Sequence, residues 1–323
     1  MSCDGTGAGG EVMSRLPAIL CLLLLCTTAY GTTHPGAPGE VEAYLAARER
    51  LEPGITPGAE RAVRWAGGAP GRTRLALVYL HGYSATRQEV FPLAERVAAS
   101  LGANLFLTRL TGHGRDGAAM LEGSVAAWQR DAREALDIGR VIGERVVLLS
   151  TSTGGTLSTW VASRPHDGSL AALVMMSPNF APRDRTLYLL DWPLLGPALL
   201  GYFGDDHRSW QPHNAQQARY WTWSYPYRAL PELVRLVKDV AAIDKSAIRV
   251  PTLMIYSPGD RVIDPAAVAD AFAEWGGERK RLVVFERSGD PSQHVLAGDI
   301  LSPGSTDELA RLISDYLSGL AGS

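Results

Sequence analysis

From residue 75 onward, continuous apolar runs alternate with segments whose apolar positions recur every three or four residues. The runs 75–80 (LALVYL), 145–150 (RVVLLS), 170–176 and 252–256 lack the alternation of a half-exposed strand. They predict strands covered on both faces. Shorter strands are expected over 104–109 and 282–285. Between them, 86–100 places Val90, Leu93 and Val97, with Leu101 just beyond, on one helical face, and 124–142 carries Val125, Trp128, Leu136 and Val141. Further helices are expected over 156–162, 266–275 and 306–316, and a short one over 40–52, stopped by Pro53 and Gly54. The βαβα order predicts an α/β fold, a mostly parallel sheet flanked by helices.

The rhythm breaks over 181–250. This stretch holds ten of the 25 aromatic residues of a 323-residue chain. It predicts an aromatic-rich cap inserted between two sheet strands, with residues 59–180 and 251–323 as the core. Most of the aromatics are expected to fill the cap's own interior. Two or three are expected to face a pocket, with Trp221 and Trp223 as candidates.

The N-terminus has a different character. Residues 16–26 read LPAILCLLLLC, an apolar run shorter than the roughly 20 residues of a membrane-spanning helix. With Arg15 before it, the run predicts a secretory signal over 1–31. Asp4 and Glu11 fit a signal poorly, whereas a start at Met13 leaves only Ser14 and Arg15 ahead of the run. Cleavage is expected after Ala29 or Gly31. Lipidation at Cys26 is an alternative that Leu25 fits poorly, and it is the one membrane contact expected. A buried core helix is the bland alternative, and no amphipathic period supports it. Residues 32–58 read as a linker followed by the short helix. The expected location is secreted or periplasmic.

Composition narrows the chemistry. Lys+Arg 31 against Asp+Glu 34 gives a net charge of −3 without long like-charge runs, so nothing predicts a nucleic-acid partner. The three cysteines, Cys3, Cys21 and Cys26, all precede residue 30. The folded part therefore lacks thiol nucleophiles, cysteine-held metals and disulfides. His207 and His213 are too sparse to predict a metal site, and no cofactor is expected.

The strongest motif is Ser150-Thr151-Ser152-Thr153-Gly154-Gly155, between an apolar strand and a helix. A tight strand-to-helix turn lifts its apex residue above the sheet edge and needs small residues two before and two after it. That makes Ser152 the candidate nucleophile, with Gly154 fitting and Ser150 standing where glycine is usual. A serine needs a base, and His294 lies in the loop after the last strand, at the same sheet edge. Asp260, in SPGD just past the strand 252–256, is the candidate partner of His294. Asp264 reads as a helix cap, and Asp290 is too near His294 in sequence to approach it from the side. The backbone N–H groups of Tyr83, in His81-Gly82-Tyr83, and of Thr153 are candidate oxyanion donors. His81 reads as a support for that loop.

Taken together, HGYS, TGHGRDG, STSTGGT, SPGDRVIDP and HVLAGDILSP, in this order, resemble serine carboxylesterases and monoacylglycerol lipases of the α/β-hydrolase superfamily. The resemblance covers roughly residues 74–318. It implies a lid between the sixth and seventh strands, where the aromatic segment lies, and a structural role for His113. It also implies hydrolysis of a small ester with an apolar acyl chain through an acyl-enzyme on Ser152. Peptide hydrolysis by the same triad, or silent binding of an apolar ligand, are the alternatives.

Overall fold

The computed structural model describes residues 34–203 and 206–321. The expected signal segment, the Met13 start, the cleavage points and Cys26 lie outside the described residues. Among the described residues no helix is long and apolar enough to cross a membrane.

The apolar runs form the centre of a seven-stranded sheet. Its strands are β1 (Ala62–Arg64), β2 (Thr73–Leu80), β3 (Asn104–Leu107), β4 (Gly143–Thr151), β5 (Leu170–Met176), β8 (Thr252–Tyr256) and β9 (Lys280–Val284). They lie in the order β1-β3-β2-β4-β5-β8-β9, and β1 alone runs antiparallel to its neighbour. Both faces of the sheet are buried, which is why these runs do not alternate. Ala76, Val78 and Leu80 of β2, with Val146 and Leu148 of β4, enter one core layer. Leu77, Tyr79, Val147 and Leu149 enter the other.

Helices α1 (Val41–Arg50), α3 (Val125–Ile142), α4 (Thr153–Ala162) and α8 (Pro265–Glu274) fill the first layer. Helices α2 (Leu93–Leu101) and α9 (Thr306–Ala321) fill the second. Ser124 caps α3, its hydroxyl accepting from the Ala127 N–H. A buried ion network fixes α1 to the loop after β3. Arg109, whose side chain is wholly buried, reaches Glu49 at 2.6 Å and Glu52 at 3.0 Å. Burial alone would lower the Arg109 pKa, but the two carboxylates outweigh it and raise it.

Two expectations need correction, and one strand lies outside them. The helix expected over 86–100 divides into a 3-10 turn, Arg87–Val90, and α2. Pro92 pushes Phe91 into extended backbone and interrupts the helix there. The edge strand β1 was not foreseen, because three residues are too few to show a period. The aromatic segment follows the fifth strand of the main sheet among the described residues, not the sixth, since one strand alone precedes β2.

Between β5 and β8 the chain forms a 3-10 turn (Arg185–Asp191), α5 (Leu195–Phe203), β6 (His207–Ser209), α6 (Ala215–Tyr220), β7 (Ser224–Pro226) and α7 (Leu230–Ala241). Strands β6 and β7 pair as an antiparallel ribbon. Helix α7 buries Leu236, Val237 and Val240 in the layer that α3 and α4 fill.

Candidate active site

Ser152 is the single residue between β4 and α4, with φ 53° and ψ −118°. A non-glycine residue there is strained and persists only because its surroundings hold it. Its N–H donates to the Met176 carbonyl at 3.0 Å, and its carbonyl accepts from Gly155 at 2.8 Å and Asn179 at 3.0 Å. Gly154 has no room for a side chain, since a Cβ there would stand 2.0 Å from the Leu80 carbonyl oxygen. Ser150, the departure from the usual pattern, is fully buried and donates its hydroxyl to the Val174 carbonyl at 3.3 Å. The substitution of serine for glycine is thus accommodated by a hydrogen bond.

His294 follows β9 in a loop and presents Nδ1 to Asp260 Oδ2 at 2.7 Å. The other Asp260 oxygen accepts from the N–H groups of Val262, at 2.8 Å, and Ile263, at 2.9 Å. With a carboxylate at Nδ1, that nitrogen carries the proton and Nε2 is the basic one. Burial disfavours charge on the ring, but Asp260, with lesser help from Glu89 and Asp290, outweighs it and raises the His294 pKa. Asp290 acts on the backbone instead, accepting the N–H groups of Ser292, His294 and Val295. Asp264 caps α8 through the Ala266 N–H and pairs with Arg185.

The loop after β2 comes up beside the serine. A Cβ on Gly82 would lie 3.2 Å from Ser152 Cβ and 2.9 Å from Glu89 Oε1. His81 Nε2 accepts the Leu110 N–H at 3.1 Å, so Nδ1 carries the proton and donates to the Gly82 carbonyl at 2.8 Å. His113 packs edge-on against Tyr83, with ring centroids 5.4 Å apart. Burial lowers the His81 pKa well below the usual value and that of His113 to about 4. Both rings are neutral supports. Thr153 is the first residue of α4 and is buried behind Ser152.

Glu89 is the residue that sequence reasoning missed. It is 2% exposed, and its Oε2 accepts the Gly82 N–H at 2.9 Å and the Tyr79 hydroxyl at 2.8 Å. Burial raises its pKa. The signal was Pro92, which ends the helix early and lets the 3-10 turn tuck Glu89 under the loop.

A cavity of about 450 Å³ contains Ser152, His294, Tyr83 and Glu89 in its lining. Trp210, Trp221 and Tyr225 of the aromatic segment face it, joined by Leu187, Leu230 and Leu233. Trp223 is 41% exposed and takes no part in the lining. His207 and His213 are exposed, with His213 at the cavity wall. Among the described residues no three histidine, cysteine or acidic side chains group to hold a metal.

The fold is shared widely. One of two metagenome-derived lipolytic enzymes, LipS and LipT, is 21% identical, with a TM-score of 0.64 over 82% of this chain and 99% of its own. Monoacylglycerol lipase from Paleococcus ferrophilus is 16% identical, with a TM-score of 0.58 over 80% of this chain and 98% of its own. A monoglyceride lipase variant from Saccharomyces cerevisiae is 12% identical, with a TM-score of 0.59 over 81% and 91%. At these identities the likeness establishes the α/β-hydrolase fold. A sequence search of the curated proteins finds no significant match. The family model described as serine aminopeptidase, S33, matches residues 71–289, more than half of the chain. With its parallel sheet, serine elbow and paired His294 and Asp260, the chain belongs to that α/β-hydrolase family.

Proposed function

We propose that the protein hydrolyses carboxylic esters through an acyl-enzyme on Ser152. The observation that carries this is the 2.7 Å contact between His294 and Asp260 in a site whose cavity wall also includes the strained Ser152. Ser152 Oγ attacks the ester carbonyl while His294 Nε2 takes its proton. The backbone N–H groups of Tyr83 and Thr153 hold the oxyanion. Collapse breaks the C–O bond, and His294 returns the proton to the leaving alcohol. Water, deprotonated by His294, then attacks the acyl-serine; the C–Oγ bond breaks, His294 returns the proton to Ser152 Oγ, and the carboxylic acid is released. Asp260 stabilises the imidazolium formed in each half.

The neighbours named as lipolytic enzyme and monoacylglycerol lipase support esters as substrates, whereas the family description names an aminopeptidase. An aminopeptidase must hold the free ammonium of its substrate, which calls for an unoccupied carboxylate. Of the two carboxylates in the cavity wall, Asp290 holds three backbone N–H groups and Glu89 holds the Gly82 N–H and the Tyr79 hydroxyl through Oε2, so both are engaged with the loops that shape the site. The apolar wall of Leu187, Leu230 and Leu233 suits an acyl chain instead. The test compares p-nitrophenyl esters and monoglycerides with aminoacyl p-nitroanilides. Ester turnover that exceeds anilide turnover and disappears in Ser152→Ala supports the proposal; efficient anilide cleavage with negligible ester cleavage overturns it.

The same proposal includes export from the cytoplasm, supported by the apolar run 16–26 behind Arg15. Deleting residues 1–31 is expected to leave the protein in the cytoplasmic fraction.

A further inference from the structure

The ribbon of β6 and β7 sets Arg208 directly across from Tyr225, and Ser209 across from Ser224. Residues paired across an antiparallel ribbon share a face, and successive residues alternate faces. Tyr225 is 4% exposed, whereas the Ser209 and Ser224 hydroxyls meet each other at 2.8 Å on the more exposed face, with Ser209 also reaching the cavity wall. Arg208 therefore stands on the inner face, half-buried, in the wall of the cavity that holds Ser152 and His294. Its charge reaches two phenols of that wall. Burial raises the Tyr83 and Tyr225 pKa values, and Arg208 opposes that rise in part at both.

Of the other arginines between β5 and β8, Arg185 pairs with Asp264, Arg235 pairs with Asp191, and Arg219 donates to the Pro57 carbonyl. Arg208 has no carboxylate partner within 4.0 Å among the described residues. The cavity's own carboxylates do not pair with it: Asp290 accepts the N–H groups of Ser292, His294 and Val295, and Glu89 Oε2 accepts the Gly82 N–H and the Tyr79 hydroxyl. A half-buried guanidinium in the wall of the cavity that also holds Ser152 presents a planar fork of donors shaped for a carboxylate or phosphate.

Resting on the ester reading above, we infer that Arg208 holds a second, anionic group carried by the substrate, so that the preferred substrates are acidic esters. The anion sits at the far end of the acyl chain or on the alcohol. The recognising chemistry is the same in both cases.

The test uses matched pairs of neutral and anionic esters on the wild type, Arg208→Lys and Arg208→Gln. One pair is p-nitrophenyl pentanoate and mono-p-nitrophenyl glutarate, with the charge on the acyl side. The other is monobutyryl glycerol and butyryl glycerol phosphate, with the charge on the alcohol side. The wild type is expected to favour the anionic member of at least one pair in kcat/KM. Arg208→Gln is expected to lower that anionic-to-neutral ratio by about tenfold or more, the usual worth of a charge-assisted hydrogen bond. Arg208→Lys, which keeps the charge without the fork, is expected to fall between. The responding pair places the anion on the acyl or the alcohol side. A folding defect would lower both members together and leave the ratio unchanged. A ratio equal in wild type and Arg208→Gln, or a wild type favouring the neutral member of both pairs, overturns the inference. Failure of the wild type to hydrolyse any of the four esters overturns the ester reading as well.

Discussion

Asp260 holds the His294 ring through Nδ1 at 2.7 Å, in a side chain buried from solvent. Asp290 holds the backbone of the same histidine, accepting its N–H at 3.1 Å. Ring and main chain are thus fixed by different aspartates: Asp260 orients the ring and is the main charge that raises its pKa, and Asp290, a lesser contributor to that charge, holds the backbone.

The pH dependence follows from the first of these. His294 must be neutral to accept a proton, and the Asp260 carboxylate raises its pKa against the opposing effect of burial. The acidic limb of kcat/KM is therefore expected above the ordinary imidazole value of about 6.5. Asp260→Asn is expected to move the limb to lower pH and to reduce turnover by about four orders of magnitude, as in other triads. Stability has the opposite sign. The His294–Asp260 attraction is fully present below the unfolded pKa of about 6.5 and is lost as pH rises through the higher folded value. A limb that stays put in Asp260→Asn would contradict this.

Glu89 is expected to act as a positioning residue. Glu89→Ala leaves the buried Gly82 N–H without its acceptor and loosens the loop that carries the Tyr83 amide. The kcat is expected to fall about tenfold or more with little change in KM, as for a weakened oxyanion donor. Glu89→Gln keeps an acceptor and is expected to recover most of the rate. It also removes a charge that raises the His294 pKa, so its acidic limb should shift downward. Equal losses in both variants with an unshifted limb would reduce Glu89 to a packing residue.

Trp221 and Trp223 are expected to separate. Trp221 is 7% exposed and lines the cavity, whereas Trp223 points elsewhere. Each buried methylene contributes about 0.8 kcal/mol, so kcat/KM is expected to climb with acyl length until the cavity is full. Trp221→Ala is expected to move the optimum to longer chains, and Trp223→Ala to leave it in place. Measuring C2 to C12 esters on both variants decides this, and parallel profiles would contradict it.

Arg109 is expected to matter for stability rather than chemistry. Removing one member of a buried ion pair typically costs about 3–5 kcal/mol. Arg109→Ala removes the cation that ties Glu49 and Glu52 to the loop after β3 and leaves Arg61 as their one remaining ion-pair partner among the described residues. Urea unfolding should register a loss of that size, and a loss below about 1 kcal/mol would contradict the role.

Ser152 and Asp260 were legible because each follows a buried strand, where a polar residue after an apolar run is conspicuous, and His294 because its loop follows the last strand, although that edge strand is only half-buried. The strands themselves were legible because both faces are covered. Glu89 and Arg208 were not. Glu89 sits at a polar position of an expected helix, and its burial comes from a turn that closes against the distant loop at Gly82. Arg208 occupies a three-residue strand whose inner face is defined by pairing with Tyr225, seventeen positions along the chain. No local period reports either contact. The break at Pro92 was visible in principle, since the residue before proline disfavours helix.

The central claim is that Ser152 is the nucleophile, and covalent labelling tests it most directly. Wild type, Ser150→Ala and Ser152→Ala are treated with a fluorophosphonate and read by intact mass and peptide mapping. The expected result is one adduct on Ser152 in the wild type and in Ser150→Ala. Ser152→Ala should give no adduct and lose turnover by on the order of a million-fold while staying folded. An adduct on another residue, or undiminished labelling and turnover in Ser152→Ala, would contradict the claim.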